Sequence, residues 1–94
     1  MTYTLQIPEE MTIYQVVTLH QTLLAALLSH EALCLDLSRI GEMDTAGMQL
    51  LLWAQREGER LNKPVTLTHP SESVDRLACM LGLSTDLRLT RGSA

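Results

Sequence analysis

Ala32-Leu33-Cys34-Leu35-Asp36-Leu37 is followed by the loop Ser38-Arg39-Ile40-Gly41-Glu42 and then by Met43-Asp44-Thr45-Ala46-Gly47-Met48. The first stretch is nearly continuous in apolar residues and too short for a helix. That pattern predicts a central strand covered on both faces, as in a parallel or mixed sheet packed with helices. The second stretch opens a helix. Asp44 is a good N-cap, its carboxylate able to accept a bond from a first-turn N–H. Behind it Gly47, Leu50, Leu51, Ala54, Gly58 and Leu61 share one face at helical spacing and form the core stripe. The helix should stop near Asn62, because Lys63 precedes Pro64 and is biased away from helical dihedrals.

Upstream, Tyr3 to Ile7 alternates apolar and polar and is stopped by Pro8, the signature of a short half-buried strand. Thr12-Ile13-Tyr14-Gln15 reads as a capping box. The helix it opens runs to about Ser29, with Ile13, Val16, Leu19, Leu23, Leu24 and Leu27 inward and His20 at the core edge. Downstream, Val65 to Thr68 is a strand and Ser71 or Ser73 caps a third helix. Val74, Leu77, Ala78 and Leu81 face the core, and Leu81-Gly82-Leu83 forms a Schellman ending. Asp86 to Thr90 alternates weakly as a last strand, and residues 91–94 are expected to fray. The alternation of strands and helices predicts an α/β fold, one domain over residues 1–94 with its core at about 3–90. Right-handed crossovers would make the later strands parallel.

Composition narrows the function. Ninety-four residues with a formal charge of −4 make one small acidic domain, the wrong sign for gripping a phosphate backbone. No apolar run approaches the length needed to span a bilayer, and no secretory leader is visible, so a cytoplasmic location is expected. Cys34 and Cys79 read as two small buried thiols in a reducing compartment. The dispersed His20, His30 and His69, with no metal-spaced ligands, phosphate loop or nucleophile elbow, predict no enzyme, no metal and no cofactor.

The remaining signal lies at the start of the second helix. Thr45 occupies the first turn, its hydroxyl beside the positive end of the helix dipole, and Gly47 lets that turn press close to the sheet. Spacing alone favours a routine capped helix over a phosphoacceptor, whose added charge Asp44 and Glu42 would oppose. Met48 and Leu52 fall at or beyond the edge of the core stripe, and Trp53 points away from it. They mark either a face covered by a neighbouring helix or a patch for a partner.

The segment Asp36 to Gly47 resembles the signature of STAS domains, named for sulfate transporters and anti-sigma factor antagonists. That signature is an apolar strand ending in Asp-Leu-Ser, then Asp-Ser/Thr-x-Gly at a helix start. The likeness extends through Leu52, the Lys63-Pro64-Val65 strand entry and Leu81-Gly82-Leu83, covering roughly residues 10 to 85. It implies a mixed central sheet flanked by helices. It also implies that Thr45 corresponds to a regulatory hydroxyl, phosphorylated by an anti-sigma-type kinase and restored by a phosphatase, with Asp44 as its acidic neighbour. The implied role is a bacterial, cytoplasmic interaction switch in signal transduction, docking a regulatory protein through Asp44, Thr45, Ala46, Met48, Leu52 and Trp53. The resemblance also admits a constitutive subunit of a membrane-associated, ABC-type lipid-transport complex. Two departures stand out: there is room for only one strand and a fragment before Thr12, where such domains usually open with a hairpin, and Thr replaces the commoner Ser at position 45.

Overall fold

A computed structural model describes residues 2–90. The chain runs β1 (Thr2–Gln6), β2 (Glu10–Met11), α1 (Val16–Ser29), β3 (Ala32–Asp36), β4 (Glu42–Met43), α2 (Thr45–Arg60), β5 (Val65–Thr68), α3 (Glu72–Met80) and β6 (Leu89–Thr90). The main sheet has the order β1-β3-β5-β6, and a two-stranded sheet pairs β2 with β4. Every pairing among the described residues is parallel, so the implied mixed sheet is here a parallel one. The α/β architecture, a central sheet with helices, is as expected. Residues 91–94, expected to fray, lie outside the described residues.

Leu33, Leu35 and Leu37 of the central segment are fully buried, with Leu23 and Leu27 of α1, Leu51 of α2 and Leu67 of β5 in the same core. The residues between them point to the other face. There Cys34 and Asp36 are only half-buried and Thr4, Gln6 and Thr66 are exposed. The expectation of a strand covered on both faces is therefore corrected: helices bury one face, and the other is an open polar surface. Ala32 and Cys34 made the segment look continuously apolar, but both are small and tolerate partial exposure. The thiols follow the same correction, since Cys34 is half-buried, Cys79 is exposed, and neither is in a disulfide.

Helix ends match local chemistry closely. Ser71 caps α3 by accepting from the Val74 N–H at 3.3 Å. At its far end Leu83 donates to Ala78 and Gly82 to Cys79, the two bonds of a Schellman motif, with Gly82 at φ 71°. Leu81 was expected inward but is exposed, because the cap turns the chain at that point. Lys63 donates through Nζ to the Leu27 carbonyl at 2.5 Å, supplying the C-terminal turn of α1 with a cation it lacks locally.

The entry to α1 departs from the expected capping box. Half of the box forms: the Thr12 N–H donates to Gln15 Oε1 at 2.9 Å. The Gln15 N–H, however, donates to the Thr12 backbone carbonyl and not to its hydroxyl. Residues 12–15 thus make a separate turn, and Ile13, placed on the core stripe by its spacing, is 61% exposed.

Candidate functional site at the start of the second helix

Asp44 caps α2 as its residue type dictates, accepting from the Gly47 N–H through Oδ1 at 3.1 Å. Its second oxygen does something that local sequence does not reveal. Oδ2 accepts the Ile13 N–H at 2.9 Å, tying the turn before α1 to the first turn of α2. These backbone donors, Ile13 first, hold the Asp44 carboxyl below its ordinary pKa of 3.8, against a smaller opposing effect of desolvation. The site therefore carries a fixed negative charge at neutral pH.

Gly47 allows the close approach that makes this possible. A Cβ there would lie 2.0 Å from the Met11 carbonyl oxygen, so only glycine lets the helix start sit against β2. Met11 in turn pairs with Met43 just ahead of the cap, and its carbonyl accepts the Asp44 N–H. The loop, the cap and the α1 entry form one braced unit.

Thr45 is the first residue of α2 and is exposed, at the positive end of the helix dipole. Ala46 and Trp53 line a groove of about 370 Å³ between α1 and α2, together with Val16, Val17, His20 and Leu50. Trp53 is half-buried and lies against the His20 ring, with centroids 4.3 Å apart. It forms the wall of the groove and does not stand away from the core as the helical spacing suggested. Thr45 does not itself line the groove; it directly precedes Ala46 and sits one helical turn before Gln49, both of which do.

The six residues nominated for partner contact are thus only partly brought together. Ala46 and Trp53 both line the groove, about two helical turns apart, whereas Asp44 and Thr45 precede Ala46 at the helix start and do not line it. Met48 is corrected: it is fully buried in the core and has no surface to offer. Leu52 is half-buried and packs against the core. The core stripe of α2 is broader than the spacing predicted, because Gln55 is buried as well. Gln55 donates to the Asp86 carbonyl at 3.0 Å and accepts the Arg88 N–H at 2.9 Å, pinning the segment that leads into β6.

Sequence reasoning missed two surface features beside Thr45. Ile13, Tyr14 and Val17 are all strongly exposed apolar residues at the α1 entry. Glu9, Glu10 and Glu42 line an acidic recess of about 450 Å³, with Glu10 and Glu42 directly opposite across the β2–β4 pair. The pairing that assembles these acids is non-local, while the Ile13-Tyr14 pair ahead of a helix was a usable signal. Among the described residues no group of three or more His, Cys, Asp or Glu could hold a metal ion, and no helix is long and apolar enough to cross a membrane.

Comparison with known proteins agrees with this geometry. The fold is similar to the solved structure of the anti-sigma factor antagonist SpoIIAA in its unphosphorylated form. The TM-score is 0.77 at 20% identity, over 98% of this chain and 80% of that one. It is also similar to the Bacillus cell fate determinant SpoIIAA in the phosphorylated form, with a TM-score of 0.73 at 19% identity, over 98% of this chain and 83% of that one. No curated protein matches the chain in sequence. The family model described as Mlab, STAS domain, matches residues 2–90. A capped helix start bearing an exposed threonine, on a parallel sheet of this topology, is thus accompanied by a match over nearly the whole length: the chain belongs to the STAS domain family.

Proposed function

We propose that the chain acts as one cytoplasmic module, a non-enzymatic switch of the anti-sigma factor antagonist kind, which docks a regulatory protein and is controlled by phosphorylation of Thr45. The observation that carries this reading is an exposed Thr45 on a helix start braced by Asp44, directly before Ala46, which lines an apolar groove. Unmodified Thr45 lets the partner close over the groove end. A phosphate there adds nearly two negative charges beside Asp44 and Glu42, which already make the site acidic. If the interface partly desolvates it, a penalty of ~3–4 kcal/mol weakens binding about 100- to 1,000-fold. The kinase and the docked protein are one partner or two, and a phosphatase returns the hydroxyl.

The test is affinity for the native partner after substitution. Thr45→Glu is expected to weaken binding about tenfold or more, and Thr45→Ala to leave it within about twofold. A second reading, a constitutive subunit of a membrane-associated, ABC-type transport complex, draws support from the family description, which names Mlab. On that reading both Thr45 variants bind normally while Trp53→Ala fails.

A further inference from the structure

The chemistry of the docked partner can be read from the surface around Thr45. Ile13, Tyr14 and Val17 are 61%, 89% and 69% exposed. Scattered exposed apolar residues are ordinary, but these fall within five positions and continue into the groove walled by Val16, His20 and Trp53. The second observation is electrostatic. Glu10 and Glu42 are direct cross-strand neighbours, an arrangement of like charges that costs stability, and Glu9 joins them in the same recess. None of the three is in an ion pair among the described residues. Gln15 lines the recess and the next residue, Val16, lines the groove, so both open at the same end of α1.

We propose that this face takes a helical segment of a partner protein, with apolar side chains on one side and Lys or Arg at one end. A groove between two helices suits a third helix, read through anchors at helical spacing. The acidic recess selects the cationic end, relieving the Glu10–Glu42 opposition. A second copy of this chain brings the same acidic rim to the contact, and an anionic bilayer surface repels a protein of charge −4, so neither fits as well. The inference rests on the groove being the docking site of the switch proposed above, and adds the kind of segment that fills it.

The experiment selects binders to the full chain from a display library of random peptides roughly four helical turns long. Selected peptides are then titrated against the emission of Trp53, the one tryptophan. The expected binders carry apolar residues at i, i+3 or i+4 beside clustered Lys or Arg, and shift that emission. They weaken roughly tenfold toward the exposed-site variant Glu10→Lys/Glu42→Lys, and are lost with Val17→Glu. Binders without basic enrichment, binders silent at Trp53, or no binders at all overturn the proposal. So does a dimer that Val17→Glu dissociates, or sedimentation of the chain with phosphatidylglycerol vesicles. Repeating the titration with Thr45→Glu separates the two readings: unchanged affinity for basic binders removes the switch but keeps the surface, whereas weakened binding of peptides with no basic bias does the reverse.

Discussion

The Asp44 carboxylate accepts the Ile13 N–H at 2.9 Å, across 31 residues of chain. With its other oxygen on Gly47, one side chain fixes the start of α2 and the turn that precedes α1. Both walls of the groove are thereby held relative to Thr45. Replacing Asp44 by Ala removes the cap and the cross-link together. The expected result is a melting temperature lower by about 5 °C, with faster amide exchange at Ile13 and Gly47. Unchanged exchange at Ile13 would show that this bond is not what holds the turn.

Acid sensitivity follows from the same carboxylate. The folded pKa of Asp44 is depressed from 3.8, chiefly by Ile13, and that of Asp36 is depressed chiefly by the Ser38 N–H. A depressed folded pKa means stability that is present above 3.8 and is lost as pH falls from there through the lower folded value. Acid titration followed by circular dichroism should show this loss below about pH 4. In Asp44→Asn the dependence should be shallower. An identical pH slope in the variant would remove Asp44 from the explanation.

Two glycines make a controlled pair. At Gly47 a Cβ would meet the Met11 carbonyl at 2.0 Å, while at Gly41 nothing lies within 4 Å. Gly47→Ala is expected to cost about 1–3 kcal/mol despite the better helix propensity of Ala. Gly41→Ala should change stability by no more than about 0.5 kcal/mol. Denaturant titration of the two variants decides it, and equal midpoints would contradict the close approach of α2 to β2.

Gln55 predicts a local effect remote from the groove. Its amide satisfies the Asp86 carbonyl and the Arg88 N–H at once. Gln55→Leu keeps the approximate volume but strands both backbone groups. A loss of about 1–3 kcal/mol is expected, with exchange accelerated around Arg88. Uniform destabilisation without that local signature would argue against the pinning role.

Much of this organisation was legible from local chemistry. Asp44 as cap, Gly47 as close-approach residue, the Schellman turn at Gly82 and the alternation of β1, β3 and β5 with three helices each follow from short-range rules and are present, whereas the short strands β2 and β4 are additional to that order. What escaped depends on contacts distant in sequence. Ile13 has helical spacing but is exposed, because the helix starts only at Val16, after a separate turn tied to Asp44. Met48 and Gln55 extend the buried side of α2, where Gln55 meets the segment at Asp86 and Arg88. The Glu10–Glu42 opposition arises from pairing of two-residue strands, too short to carry a periodic signal.

The central claim is that phosphate on Thr45 governs docking. It is tested most directly by size fractionation of a native cell extract, with mass-spectrometric measurement of Thr45 phosphate in the free and partner-bound pools. The account predicts phosphorylated Thr45 in the free pool and its depletion, by about 100-fold or more, from the bound pool. Equal occupancy in the two pools, or no phosphate on Thr45 under any growth condition, would contradict it.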